Sequence, residues 1–564
     1  MFIFPDPKTK NPQERKKQRI LEIIPGVLTW ITIIGMFVFS FFVPSWVAYF
    51  IISFDIYWIL RTIFIAYYSI EGYRKLNRGK KIDWWERCQN ISNPKQYREL
   101  ICRRILLMKE SLIEHNGMTR SEIRILKREL SQQKKYLKEV EVMEKNKEQI
   151  WDWRKIVHVI MLPTASEPAD VIEPSINAIK ESNFPNEQII ILLATEEREN
   201  EEKRIQKVNY LRKKFAGVFR EFIVTTHKVR SDEMKAKGSN ATFAAHELVK
   251  YLRENDIDFK RVIFSNFDCD SVAHKEYFAA LTYEYITDPK RLQRSYQPLP
   301  MYHNNLWDTN AFVRVIVTGS SFWHIFQSTR LDGMVTFSSH SEPFDTLYKV
   351  DFWPVNMISE DSIIYWKCFT FYNGDYKVKP IYLPISLDAV LANTYWKTIV
   401  NQYKQKRRWA YGIENFPIII RAIGPNKKIS FRQKFKTAFE MLEGHHSWAT
   451  SSLILAVLGW LPLILGGDEF NQQVLAHNLP IYTRYLMTLA MFGLAVSMSL
   501  SFLLLPPRPK KYSRWRNIFM LLQWVLVPNI APLLGSLPAI DSQTRILLGR
   551  YFGEFWVTEK MRKS

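Results

Sequence analysis

What most constrains this chain is where its charge stops. From Ile23 to Val43 no residue is charged, and about 20 apolar residues rising ~1.5 Å each are enough to cross a hydrocarbon layer of ~30 Å. A second apolar stretch, Trp46 to Ile70, follows directly after Pro44 and Ser45, which predicts a membrane hairpin with a very short turn. Asp55 and Arg61 within it are costly in a bilayer, so they are expected to face the bundle interior; a mutual pair or a snorkelling Arg61 are the alternatives. Near the other end, Trp448 to Gly466 and Tyr485 to Leu505 are again uncharged and long enough to span. A fifth stretch, Asn517 to Ile540, is interrupted by Pro528, Pro532 and Pro538 and is expected to re-enter or form a broken hairpin.

Basic residues fix the expected orientation. Lys8, Lys10, Arg15, Lys16, Lys17 and Arg19 precede the first span, Arg74, Lys75, Arg78, Lys80 and Lys81 follow the second, and Arg508, Lys510, Lys511, Arg514 and Arg516 follow Leu505. The loop from Gly467 to Arg484 has one Lys or Arg, at its last position. Basic flanks stay on the cytosolic side, so the large middle region is expected in the cytoplasm of an integral protein of the plasma (inner) membrane. With 78 Lys and Arg against 56 Asp and Glu the formal charge is +22. Anionic headgroups and an anionic substrate account for that excess without nucleic acid. Four scattered cysteines without a CxxC pair exclude a disulfide framework and a Cys-based zinc site.

The cytosolic region has two textures. Tyr73 to Trp151 is charged and helical in period, broken at Asn116-Gly117, with Thr119 and Glu122 spaced as a capping box. From Lys155 onward short apolar runs alternate with helix-length segments: Ile156 to Leu162, Ile189 to Leu193, Phe222 to Thr225 and Val262 to Phe267. That alternation predicts a mostly parallel α/β sheet, whose ligands bind beyond the carboxyl ends of its strands. The expected divisions are 1–71 for the basic tail and membrane hairpin, 72–150 for a charged helical hairpin, and 151–425 for an α/β catalytic domain. An amphipathic interface helix at 426–447, C-terminal membrane helices at 448–540 and a cytosolic tail at 541–564 follow.

Three groups of residues can carry chemistry. Asp268-Cys269-Asp270 ends a strand, and two carboxylates so placed can hold Mg²⁺ or Mn²⁺ bridging a diphosphate; a solvated turn is the plainer alternative. In Ser359-Glu360-Asp361 a carboxylate is suited to act as general base toward a sugar hydroxyl. The same residues also suit a helix N-terminus capped by Ser359. In Gln405-Lys406-Arg407-Arg408-Trp409 the Arg408 fork can neutralise a leaving diphosphate and Trp409 offers a face to a sugar ring, unless the segment is only a basic helix with an aromatic anchor.

Asp-x-Asp at a strand end, then Glu-Asp, then Gln-x-x-Arg-Trp, all framed by membrane spans, resembles the family 2 membrane glycosyltransferases: cellulose, chitin and hyaluronan synthases and their relatives. Further segments carry the resemblance. Pro163-Thr164-Ala165-Ser166-Glu167 is similar to the family's Pro-x-x-Asn-Glu segment, Lys237-Gly238-Ser239-Asn240 to a Lys-Gly-x-x-Asn-like one, and Arg294 to Pro298 to its Gln-x-Pro. Phe555-Trp556-Val557-Thr558-Glu559-Lys560 resembles the cellulose synthases' gating motif Phe-x-Val-Thr-x-Lys. The sequence departs after the second strand, where Ala194-Thr195-Glu196-Glu197 replaces the usual paired aspartates and leaves Glu196 as the substitute.

The resemblance implies a GT-A-like domain and an inverting transfer from a UDP-sugar to a growing polysaccharide, with export across the membrane as the family's further step. Asp361 would be the base with Glu360 beside it, and Asp268 and Asp270 the metal ligands. Glu167, Glu196, Lys237 and Arg408 would contact the donor and Gln405 and Trp409 the acceptor, while Phe555, Val557, Thr558 and Lys560 would form the gate. Transfer to a membrane lipid, and a catalytically inactive scaffold or transporter, are the competing readings. No cyclic-dinucleotide domain is evident in the sequence.

Overall fold

The computed structural model describes residues 2–114, 117–330, 332–554 and 560–561. At its centre is one eight-stranded mixed sheet. In chain order the strands are β1 (Val157–Pro163), β2 (Ile189–Glu196), β3 (Glu221–His227), β4 (Val262–Asn266), β5 (Val272–Ala273), β6 (Arg294–Met301), β7 (His340–Pro343) and β8 (Lys377–Ser386). They lie side by side as β3-β2-β1-β4-β7-β6-β8-β5. The four apolar runs become the parallel half, β3 to β4, and their carboxyl ends share one edge. Strand β7 turns antiparallel against both β4 and β6, which makes the sheet mixed rather than uniformly parallel.

Strands β1, β2 and β4 are covered on both faces, which is why they are largely apolar, whereas the edge strand β3 keeps exposed residues. In β1, Ile160 and Leu162 join one core with Ile172, Ile176, Tyr277 and Tyr285; Val157, Val159 and Met161 join the opposite core with Ala241, Leu248, Trp353 and Ile363. The helical hairpin Pro94–Glu114 and Arg120–Lys145 buries Ile101, Ile105, Tyr136 and Val140 in the first of these cores. Thr119 and Glu122 form a full capping box at its second helix.

Among the described residues, four helices are long and apolar enough to cross a membrane: Pro12–Phe42, Pro44–Gly79, Val474–Leu504 and the broken segment Arg516–Leu547. A bent pair, Phe431–Ala456 with Leu458–Leu465, meets at 50° and would make a fifth. Helix Phe431–Ala456, which exposes Phe431, Phe435 and Phe439 in a stacked row at its start, therefore joins the anticipated interface helix to the first part of the anticipated third span, the rest of which lies past the bend. Helix Pro44–Gly79 is the strut of the assembly. Gly493 lets helix Val474–Leu504 close onto Thr62, and at Gly72 a methyl would stand 2.6 Å from Ile325 Cγ2. Arg61 pairs with Glu443 and Tyr57 rather than with Asp55, which is buried elsewhere in the bundle.

The Pro-broken segment begins and ends against the same α/β domain. Arg516 reaches Trp307 O at 3.4 Å, and Asp541 accepts from Arg407 at 3.0 Å. The first span is tied to the segment's far end: Thr29 donates to Gln543 at 2.6 Å, and Arg19 donates to the carbonyls of Ile546 and Leu547.

Candidate active site

Beyond the carboxyl ends of the parallel strands lies an open cavity of ≈ 650 Å³. It is lined by six segments: Pro163 to Ala165 and Glu167 at the end of β1 and beyond, Glu196 and Arg198 around the end of β2, Lys237 and Asn240 at a helix start, Asp268 to Asp270 after β4, Arg408, and Lys560. Each strand delivers its functional residue as it ends, because there the ladder stops and a side chain is free to turn upward.

Lys237 organises the centre. It is the first residue of helix Lys237–Glu254, and its Nζ lies 2.9 Å from Asp268 Oδ1 and 3.2 Å from Asp361 Oδ1. Ser338 repeats the link from the other side: its hydroxyl donates to Asp268 Oδ2 at 2.6 Å and its backbone N–H to Asp361 Oδ2 at 3.2 Å. Two carboxylates from distant segments are thus held by one ammonium and one serine. Burial works against charge on Lys237, but Asp268, Asp361 and Glu360 outweigh it and hold its pKa above the ordinary lysine value. Burial would raise Asp268 too, yet Lys237 and Lys560 overcome it and keep its carboxyl below the usual range. At Asp361 burial wins over Lys237 and pushes the pKa up.

Glu360 is buried, and burial with Asp361 beside it holds its pKa well above that of an ordinary glutamate. It packs at Gly238, where a Cβ would stand 3.0 Å from both Glu360 Cβ and Pro354 O. Ser359 occupies the N-cap position of helix Glu360–Phe371, but against expectation its side chain does not cap the helix; the hydroxyl is taken by Glu414 and Asn415.

The other anticipated residues fall around this centre. Glu167 bends back on its own loop, accepting from Ala165 N at 2.8 Å and from Ser166 N and Thr164 Oγ1 at 3.1 Å each, so it shapes the loop that lines the cavity. Glu196 is buried and ion-paired with Arg198, while Glu197 points outward near Lys228. Arg408 lines the cavity from helix Tyr395–Ala410, whose start is capped by Thr394. Gln405 and Trp409 are not among the lining residues: Gln405 is buried and accepts from Gln402, and Trp409 lies 6.4 Å from the Tyr302 ring. Lys406 sits between the rings of Trp409 and Trp448, at 4.9 and 5.0 Å, joining the site to the start of the membrane segment; burial lowers its pKa to about 8. Phe555, Val557 and Thr558 lie outside the described residues.

Asp270 is fully buried. Its Oδ2 accepts the Asp388 N–H at 2.7 Å and meets Lys560 Nζ at 2.8 Å, while Oδ1 has no hydrogen-bond partner among the described residues. An ammonium is thus already held where Asp270 could hold a cation, with an orphaned carboxylate oxygen beside it. That donor set fits a divalent metal, although no cluster of three or more His, Cys, Asp or Glu is found among the described residues.

Sequence reasoning missed Ser338, Glu414 and the bridging position of Lys237. Ser338 precedes β7, whose His-Ser-Glu-Pro sequence has no apolar signal, although it is fully buried. The run of hydroxyls Ser338-Ser339 beside a buried polar strand was the available clue.

No protein-family model matches the chain, and no curated protein does. Among solved structures it is similar to a mannosyltransferase from Pyrobaculum calidifontis in complex with GDP-Man and Mn²⁺, at 13% identity and a TM-score of 0.38, covering 70% of this chain and 88% of that one. S. aureus TarS 1–349 in complex with UDP-GlcNAc is similar at 10% identity and a TM-score of 0.33, covering 70% and 93%. GalNAc-T7 with UDP, GalNAc and Mn²⁺ is similar at 9% identity and 0.32, covering 52% and 58%.

Proposed function

We propose that this chain is an inverting, membrane-embedded glycosyltransferase that moves a sugar from a UDP-sugar to a growing polysaccharide. The observation that carries the reading is the bridge of Lys237 between Asp268 and Asp361, beside a cavity that Arg408 also lines. It brings a base for a hydroxyl, acids for a cation and a guanidinium for a leaving diphosphate to one place.

In this reading the acceptor hydroxyl gives its proton to an Asp361 oxygen as its own oxygen attacks the anomeric carbon from the face opposite the diphosphate. The bond from that carbon to the diphosphate oxygen breaks, and its electron pair leaves with UDP. Arg408 and Lys237 offset the charge that grows on the leaving side. Glu360 fills the space beside Asp361, and Glu196 with Arg198 lines the end of the cavity where the nucleotide would lie. Mg²⁺ or Mn²⁺ held by Asp268 and Asp270 would supply charge neutralisation for the diphosphate when bound. The step depends on positioning and preorganised charge, so losing any one of these groups costs on the order of 2–4 kcal/mol of barrier.

Trp409 would face the acceptor, with Lys406 and Trp448 leading from it toward the membrane helices, which favours a product that enters the bundle over one released to water. Both ends of the segment Arg516–Leu547 touch the catalytic domain, which supports a re-entrant course with the tail on the catalytic side. Cytoplasmic placement of the domain and export of the product belong to the same proposal.

The test is UDP release by the purified protein in lipid vesicles over a panel of UDP-sugars with Mg²⁺ or Mn²⁺, with Asp361→Asn as control. Release with one donor, lowered roughly 30- to 1,000-fold in Asp361→Asn, supports the assignment; the size of the labelled product then separates polymer from glycolipid. Release with no donor, or release untouched by the substitution, refutes the role of Asp361 and favours a scaffold.

A further inference from the structure

The N-terminal end of helix Glu360–Phe371 is held from outside the helix. A helix start leaves four backbone N–H groups without intrahelical partners, and a residue at the N-cap position ordinarily satisfies one. Ser359 stands there without doing so. Instead Glu414, 55 residues further on, brings one carboxylate oxygen to the approach: Oε1 accepts from Ile358 N at 3.1 Å, Ser359 N at 2.8 Å and Ser359 Oγ at 2.7 Å. A negative charge at this end of a helix is favoured by the backbone dipoles as well.

The neighbouring residue extends the grip. Asn415 donates from Nδ2 to Ser362 Oγ at 2.7 Å, and its Oδ1 lies 2.6 Å from Ser359 Oγ. That hydroxyl has one proton and therefore serves either Glu414 or Asn415 at a given moment. Asn415 is buried and Glu414 half-buried.

Glu414 closes the short 3₁₀ turn Tyr411–Glu414, which continues without a break from helix Tyr395–Ala410. One side of the clip thus moves with Arg408 and Trp409, the other with Glu360 and Asp361. We infer that Glu414 is a positioning residue: its carboxylate locks the start of the Asp361 helix to the helix that presents Arg408, fixing the base relative to the leaving-group cation. The inference rests on the proposed transfer reaction and adds to it the residue that sets its geometry. It gives Glu414 no contact with substrate.

Displacements of about 1 Å at a reacting centre cost on the order of 100-fold in rate. Glu414→Ala is therefore expected to lower kcat by about 30- to 100-fold while leaving the donor KM within about twofold. Glu414→Gln keeps an acceptor oxygen and should stay within about fivefold of wild type; Glu414→Asp, shorter by one methylene, should fall between and serves where the alanine variant does not fold. In an Asp361→Asn background Glu414→Ala should cost less than about twofold more, because the group it positions is already gone. Backbone amide exchange at Ile358 and Ser359, read without substrate, should quicken in Glu414→Ala.

Wild-type kcat in Glu414→Ala, or the same fold loss in both backgrounds, overturns the inference. Unchanged exchange at the two amides overturns it as well, whether or not any donor is turned over. Full activity of Asp361→Asn would instead refute the assignment of the base, and the exchange measurement would still decide on the clip.

Discussion

Replacing Lys237 by methionine keeps most of its apolar stem and removes the ammonium with its charge and its two hydrogen bonds, so it isolates what the bridging group does. The ion pairs are 2.9 and 3.2 Å long. At such distances and an effective dielectric constant of ~20, a pair of unit charges is worth about 5 kcal/mol. The side chains of Asp268 and Asp361 remain 30% and 28% exposed, so water screens part of this. A net loss of ~2–3 kcal/mol at Asp361 is the discounted figure. At 1.36 kcal/mol per pKa unit, the carboxyl's pKa should rise further by about 1.5 to 2 units. A base works deprotonated, and burial already holds Asp361 above its ordinary value. Turnover in the wild type should therefore rise with pH through that raised pKa and level off above it. In Lys237→Met the rising limb should shift upward by about 1.5 to 2 pH units, with the shift alone lowering kcat about 30- to 100-fold on the acid side and that part recovering at high pH. UDP release measured across pH at saturating donor reads this directly. Coincident limbs would refute the argument; a loss of equal size at every pH would mean that Lys237 acts on the leaving diphosphate alone.

Three further outcomes follow from the same geometry. Gly238→Val should push against Glu360 and Pro354 and lower kcat by at least tenfold, with a fall in Tm of several degrees by circular dichroism, because the added atoms meet a backbone oxygen that cannot move freely. Lys560→Ala should free Asp270 and raise the apparent affinity for Mn²⁺ several-fold in a titration of UDP release, since an internal ammonium no longer competes for the same oxygen; unchanged affinity would contradict that competition. Glu342 is fully buried, and burial together with Asp361 raises its pKa well above the ordinary value. Its neighbour His340, 3.3 Å away, is held by burial down to about 3 and is neutral. A raised acid pKa means stability present at low pH and lost as pH rises through the folded-state value. Glu342→Gln should therefore flatten the fall of Tm with rising pH, as read by scanning calorimetry.

How much was legible depended on whether burial left a mark on residue type. Strands β1, β2 and β4 are buried on both faces and spelled out as apolar runs, and the break before Thr119 carried its own capping chemistry. Strand β7 was invisible because its buried partners are polar: Ser341 bonds Ser265 at 2.7 Å and Tyr277 at 3.0 Å. Strand β6 hid behind its prolines, Pro298 and Pro300, and pairs with β8 through a register shift at the first of them. The continuity of Phe431–Ala456 was masked by a change from mixed to apolar texture midway along one helix. At the site, the acids and Arg408 stood out by spacing, but no spacing reports that Lys237 lies between Asp268 and Asp361. A single acid such as Glu414, whose partners are backbone amides far away in sequence, leaves no pattern at all.

The contacts between the first span and the region after residue 536 have a consequence for biogenesis. Glu22 gathers Arg15, Gln18 and Arg19 from its own helix, but also Tyr551, and Arg19 uses the carbonyls of Ile546 and Leu547. A ribosome delivers these two halves more than 500 residues apart. At ~5–20 residues per second the first span waits roughly half a minute or longer for the partner that satisfies it. In the last part of that interval, once β8 has been made, the sheet can be complete while the cavity still lacks Lys560. The nascent chain then carries an open cavity on an unfinished helix bundle, and adding the segment that holds Lys560 ends both conditions together.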